Sequence, residues 1–208
     1  MARYTESVCR LCRREGAKLF LKGTRCYTKK CSFERRPSPP GQHGVRRRKV
    51  GDFGLQLREK QKIRKTYGVL ERQFRNYFRV ASTHSGVTGE YLLRSLELRL
   101  DNVVYRMGFA TSRAQARQLV GHGHFAVNGR ATNVPSFQVR NGDRVEVRES
   151  RRGREPFKLA KETLRNHQAP AWLTVDAATL AGTIADSPAR DQMPLDFNEQ
   201  LVVEYYSR

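Results

Sequence analysis

All four cysteines of the chain fall between residues 9 and 31, as Cys9-x2-Cys12 and Cys26-x4-Cys31 with thirteen residues between the pairs. That spacing dictates how the N-terminus can fold. A segment of about thirty residues cannot bury an apolar core of its own and takes a cross-link or a metal instead. A tight turn lets both sulfurs of a close pair face one ion, and folding the loop over brings up the second pair, closing a tetrahedral site with no position left for water. Such a site is structural, not catalytic. The interleaved cations Arg10, Arg13, Arg14, Arg25, Lys29 and Lys30 favour the thiolate form that binds metal. Four thiolates suit tetrahedral Zn2+ and also a 4Fe-4S cluster; zinc is the expectation and the cluster the alternative. Four inert buried thiols are the plain alternative, and the ligand-like spacing argues against it.

The same cations raise the question of what they meet. Lys and Arg number 40 against 20 Asp and Glu, a net charge of +20, and residues 1–100 hold +17 of it. An excess of that size asks for an anionic partner. No apolar run approaches a membrane span, no basic amphipathic anchor sits at either end and no apolar leader opens the sequence. Nucleic acid is therefore the expected polyanion, and a membrane is not. A reducing, cytoplasmic setting is expected, where paired cysteines hold metal and not disulfides. The near-neutral C-terminal quarter suits a core or a protein neighbour.

After Cys31 the stretch ERRPSPPGQHGVRRRKVGDFG is rich in Pro and Gly and reads as a linker. Its unbroken run Arg46, Arg47, Arg48 and Lys49 joins two basic modules and is expected on phosphates, while His43, with no spaced partner, reads as a loop residue. Two helices follow, the first ending at Gly68. Arg58, Lys62 and Lys65 fall on one face of the first and Arg72, Arg75 and Arg79 on one face of the second, and both basic stripes are expected on RNA phosphates. Leu70, Phe74, Tyr77 and Phe78 form the second helix's core stripe.

LLRSLELRLDNVVYRMG then reads as one helix with Leu92, Leu96, Leu100, Val103, Val104 and Met107 on its inner face and Gly108 as its C-cap. Thr111 or Ser112 caps a short helix on which Arg113 and Arg117 share a face and Ala116, Leu119 and Val120 turn inward. If that Arg pair faces RNA, replacing both with Ala should weaken RNA binding and leave stability nearly unchanged. The period next changes to two. Asn128-Gly129 marks a hairpin, and Asn141-Gly142 precedes the alternating Val145 and Val147. Two helices on a small antiparallel sheet are predicted. His122 and His124 read as exposed loop residues, and Asp101 as the partner of a nearby Arg.

RLDNVVYRMGFATSRAQARQLVGHGHFAVNGR resembles the RNA-binding module of the small-subunit ribosomal protein S-four (uS4) family. YGVLERQFRNYF and the four-cysteine N-terminus extend the likeness over essentially the whole chain. The resemblance implies a primary binder of a multi-helix junction in small-subunit (16S) rRNA that nucleates assembly of the body. It also implies contact with neighbouring ribosomal proteins, notably S-five, at an interface linked to translational accuracy, and in some bacteria repression of the protein's own mRNA.

In the C-terminal stretch PFKLAKETLRNH reads as a helix, Trp172 to Val175 as a short strand followed by a turn, with Trp172 in the core, and PLDFNEQLVVEYYSR as a helix begun by Asp196 and Glu199 at capping-box spacing, with strand competing over 201–206. The predicted class is α+β, in three parts: a four-cysteine metal knuckle and basic linker over 1–45, a discontinuous helical domain from 46–95 and 184–208, and an inserted RNA-binding module over 96–183. The linker's Pro and Gly should let the knuckle melt separately from the rest. No Gly-rich phosphate cradle and no nucleophile–base set is present, so neither an enzyme nor a small-molecule substrate is expected. A zinc-dependent DNA regulator and an RNA-modifying enzyme are the rival classes; the first lacks a dimer-forming heptad and the second lacks room for a catalytic domain.

Overall fold

The computed structural model describes residues 3–42, 50–193 and 196–208. His43 and the run Arg46, Arg47, Arg48 and Lys49 lie outside them. In chain order the helices are α1 (Cys9–Glu15), α2 (Ser32–Arg35), α3 (Asp52–Thr66), α4 (Glu71–Thr83), α5 (Thr88–Glu97), α6 (Leu100–Arg106) and α7 (Arg113–Gly121). Strands β1 (Phe125–Val127), β2 (Arg130–Thr132) and β3 (Arg144–Val147) come next. The chain ends with α8 (Glu149–Arg152), α9 (Glu155–Leu164), β4 (Leu173–Asp176), β5 (Ala181–Ile184) and α10 (Glu199–Tyr206). The chain divides into two compact units, one drawn from Met1–Leu93 and Pro194–Arg208, the other from Arg94–Met193.

In the first unit α10 packs on α3. α3 has Asp52 in its first turn and Arg64 and Lys65 in its last, matching the helix dipole at both ends. Its buried face is mostly polar, with Gln56, Lys60 and Thr66 beside Ile63, so it docks on α10 through hydrogen bonds as well as through apolar contact. Gln56 donates to Glu204 at 2.9 Å. Aromatic residues fill the remainder: Tyr67 lies 6.1 Å from Phe197, and Tyr206 lies 4.6 Å from Phe78. α10 is a helix and not a strand, and its cap is Asn198, whose side chain accepts the Leu201 N–H at 3.4 Å. Leu70, expected in the core stripe of α4, is 38% exposed, while Phe74 is fully buried; Leu70 precedes the helix in extended conformation.

The second unit is built on an antiparallel sheet of order β2-β1-β3-β5-β4. β1 and β2 form the expected hairpin, with Val127 paired to Arg130. Asn128 at φ 50° and Gly129 at φ 76° supply the two left-handed residues that a type I′ turn requires. Phe125, Val127, Val145 and Val147 turn inward against Leu100, Val103, Val104 and Met107 of α6 and its C-cap, Ala116, Leu119 and Val120 of α7, and Trp172.

Two further expectations need correction. The apolar run from Leu92 to Met107 is not one helix: α5 ends at Glu97 and α6 begins at Leu100, with Arg99 extended at ψ 137°. There Arg99 bridges Gln138, the Leu100 N–H donates to the Phe137 carbonyl at 2.8 Å, and the Val139 N–H donates to that of Leu98 at 3.0 Å. Both helices bury their apolar side, so the period alone could not show the break. The residues after Val175 form a further strand, β5, between β3 and β4. Its Ala-Gly-Thr composition is poor in strand formers, but Gly182 lets the Met107 side chain and the Thr174 carbonyl approach to within about 3 Å of where a Cβ would sit.

Candidate nucleic-acid interface and cysteine cluster

On α4, Phe74 and Ala81 face the core of the first unit and leave Arg72, Arg75 and Arg79 exposed on one side. No salt bridge engages these three among the described residues. The stripe on α3 has a different setting. Arg58 and Lys65 both pair with Glu15 at the end of α1, Arg58 at 3.2 Å. Lys62 pairs with Glu59 at 3.4 Å and donates to the Asp196 carbonyl. All three are half-buried, so the stripe expected to face a polyanion also ties α3 to α1 and to the segment before α10. The N-terminal module is thus joined to α3 by ion pairs as well as by the chain between them.

Sequence pattern missed Lys60. It is 3% exposed, bonds Glu71 at 2.8 Å and lies 4.8 Å from the Tyr205 ring centre. Glu71 also accepts the Tyr206 hydroxyl at 2.8 Å. Burial alone would raise the Glu71 pKa, but the bonds from Lys60 and Tyr206 and the charges of Lys60 and Arg64 outweigh it and hold the carboxyl below its usual range. Burial and the same carboxylate push the Tyr206 phenol well up. The one available sequence signal was the shortage of apolar residues on α3, which forces some polar side chain inward.

In the N-terminal module Cys12, Cys26 and Cys31 are buried and Cys9 half-buried, and all four are free thiols. The Lys22 N–H points at the Cys26 sulfur at 3.3 Å. Burial raises the Cys12 pKa, a hydrogen bond from the Leu19 backbone lowers it, and the charges of Cys26, Cys9 and Cys31 raise it again. The four sulfurs therefore act on one another electrostatically, and with burial the net effect holds the Cys12 thiol above its ordinary range. No three His, Cys, Asp or Glu side chains among the described residues stand together in ligand geometry. Around the cysteines Arg10, Arg14, Lys29 and Lys30 are exposed, whereas Arg13 is half-buried and donates to the Ser38 carbonyl at 2.8 Å.

In the second unit Ser112 caps α7, accepting the Gln115 N–H at 3.2 Å. Arg113 and Arg117 on that helix are half-buried and engaged. Arg113 donates to Asn102 at 2.7 Å and stacks 4.6 Å from the Tyr105 ring. Arg117 donates to Asp101 at 3.0 Å, and Asp101 accepts two further bonds from Arg99 at 3.0 and 2.7 Å. Asp101 thus pairs with arginines as expected, and the Arg113/Arg117 face carries structural bonds that an exposed stripe would not. His124 departs from its expected place in an exposed loop. It is 5% exposed and packs 5.5 Å from Phe157. Burial lowers its pKa, helped by Arg154, Arg151, His122 and Arg148.

The ribosomal protein S4/S9 N-terminal domain matches residues 3–97, and the S4 domain matches residues 98–145. The small ribosomal subunit protein uS4 of Solidesulfovibrio magneticus is 58% identical over the whole of both chains, and that of Thermodesulfovibrio yellowstonii 57%. The chain belongs to the uS4 ribosomal protein family. The uS4A protein of Symbiobacterium thermophilum is 59% identical, again over the whole length. A uS4 protein is structural and not an enzyme. The boundary between the two uS4 domains at residues 97 and 98 falls at the break between α5 and α6.

Proposed function

We propose that this chain is a primary rRNA-binding protein that docks on a multi-helix junction of small-subunit rRNA and helps to nucleate assembly of the subunit body. As a uS4 protein it is a structural, non-enzymatic constituent of the small ribosomal subunit in the cytoplasm. The observation that carries the docking reading is the face of α4, where Arg72, Arg75 and Arg79 are exposed on a helix anchored from behind by Phe74. A-form RNA hides the base edges of its major groove, so folded RNA is met through phosphates, 2′-hydroxyls and shape. Arginines held at fixed spacing on a rigid helix suit that task. Contacts with S-five, a part in translational accuracy and repression of the protein's own mRNA rest on the family resemblance alone.

The four-cysteine module belongs to the same reading. The donor set, the burial of three sulfurs and the N–H groups aimed at Cys26 and Cys12 support a structural metal held by Cys9, Cys12, Cys26 and Cys31. Zinc fits such a closed site, and a 4Fe-4S cluster is the alternative. The ion would fix the loop that presents Arg10, Arg14, Lys29 and Lys30.

The test is a binding titration of the full chain on small-subunit rRNA against salt. Affinity should fall by about 0.7–0.9 log units per phosphate neutralised for each log unit of salt. Replacing Arg72, Arg75 and Arg79 with Ala should flatten that slope by about two to three contacts' worth and leave the melting temperature within a few degrees. A flat wild-type curve, or equal affinity for plain duplex DNA, would overturn the reading.

A further inference from the structure

A cavity of about 410 Å³ opens on the N-terminal module, lined by Arg13, Ser32, Arg35 and Arg36. We propose that it is a seat for a single backbone phosphate of RNA, resting on the RNA-binding reading above.

Three guanidinium groups around one small cavity repel one another, and the structure gives them no carboxylate in return. Glu34, the acidic residue beside Arg35, is spent on Lys18. No salt bridge engages Arg13, Arg35 or Arg36 among the described residues. Three cations kept close without an acidic partner store an attraction for an anion that enters between them.

The cavity is also built, not merely charged. Arg13 donates through Nε to the Ser38 carbonyl at 2.8 Å and through Nη2 to the Pro39 carbonyl at 3.4 Å. Those bonds fix the plane of its guanidinium before any ligand arrives and leave Nη1 for the cavity. A donor fixed in advance loses little freedom on binding. Arg35 and Arg36 close the other side from the end of α2, with the Arg35 N–H bonded to the Cys31 carbonyl and the Arg36 N–H to that of Ser32. The Ser32 hydroxyl adds a neutral donor. Planar guanidinium forks and a hydroxyl match the tetrahedral oxygens of a phosphate better than a point charge does. The net charge of +20 and the family make the phosphate's source RNA and not an acidic protein segment.

The deciding experiment uses the full chain with Arg35→Ala and Arg36→Ala combined, since both residues are exposed and their side chains carry none of the ion pairs that hold the module together. The control is Lys158→Ala with Arg165→Ala, which removes the same charge from exposed positions elsewhere. The cavity variant should bind small-subunit rRNA about tenfold more weakly at physiological salt, lose about one unit of salt slope and lose one site of backbone protection. In wild type the Arg13 Nε–H resonance should move on titration with inorganic phosphate, and in the variant it should not. Binding by the variant equal to that of wild type or of the control overturns the seat while RNA binding by wild type stands. Failure of wild type to bind the RNA overturns both. Preferential capture of a poly-glutamate peptide, lost only in the cavity variant, would assign the seat to a protein partner and overturn the proposal as well.

Discussion

Replacing Asp101 with Ala tests the polar centre of the second unit most directly. Asp101 is 4% exposed and accepts three bonds, two from Arg99 and one from Arg117. Arg99 is 1% exposed, so the substitution takes a carboxylate away from a guanidinium that water cannot reach. Breaking a buried pair by removing one partner costs about 3–5 kcal/mol. Spread over a unit of about a hundred residues, each kcal/mol lowers the melting temperature by about 4–8 °C, so a fall of at least about 12 °C is expected. Arg117→Ala removes a single bond at the rim and should cost only about 1–2 kcal/mol. Trp172 is the sole tryptophan and is buried in this unit, so its fluorescence in a urea titration reports the event without interference. Arg99→Met combined with Asp101→Ala should recover most of the loss, because replacing both members of a buried pair by apolar groups is often near neutral. A cost for Asp101→Ala no greater than for Arg117→Ala, or a double variant as unstable as the single, would refute the argument. The Arg113/Arg117 double substitution must therefore be judged for RNA binding only on the folded fraction, since stability will not stay unchanged.

His124 should give the second unit an acid-sensitive stability. Its folded pKa lies below the ordinary value near 6.5, so the unfolded chain takes up the proton first, and stability falls as pH drops from about 6.5 through the lower folded value. His124→Leu should flatten the urea midpoint between pH 7 and 5, and an unchanged slope would count against burial as the cause. If Cys9, Cys12, Cys26 and Cys31 hold the proposed metal, its removal by a chelator should expose the amides of α3 to hydrogen exchange along with those of residues 1–35, because Glu15, its side chain fully buried, joins them through Arg58 and Lys65. Full protection of α3 in the metal-free protein would show that these ion pairs do not couple the two.

The features legible in the sequence were those that one local rule governs. Asn128-Gly129 had to turn with two left-handed residues, Ser112 stood before a helical apolar stripe, and Trp172 was too large and apolar to leave outside. What escaped was set by partners distant in the chain. Arg99 breaks a helix whose apolar period continues across it, because the Phe137 and Val139 backbone offers hydrogen bonds that outbid the local ones. β5 owes its pairing to neighbours on both sides and not to its own composition. Lys60 reads as one more surface cation until Glu71, Tyr205 and Tyr206 enclose it. The basic residues were legible as a charge but not as roles: Arg72, Arg75 and Arg79 are exposed, while Arg58, Lys65 and Arg117 hold the protein together.

The split first unit has a consequence for how the chain is made. The bond from the Asn198 N–H to Glu59 spans 139 positions, and synthesis proceeds at about 5–20 residues per second, so α3 waits about 7–28 s for the helix that covers it. The intervening unit, drawn from Arg94–Met193, is contiguous and is complete before α10 has been synthesised. The usual order of folding from the N-terminus is thereby reversed. Throughout that interval the nascent chain shows a mixed face to its surroundings: Gln56, Lys60 and Thr66, which water solvates, around the single aliphatic side chain of Ile63, with Tyr67 and Phe78 still lacking Phe197 and Tyr206.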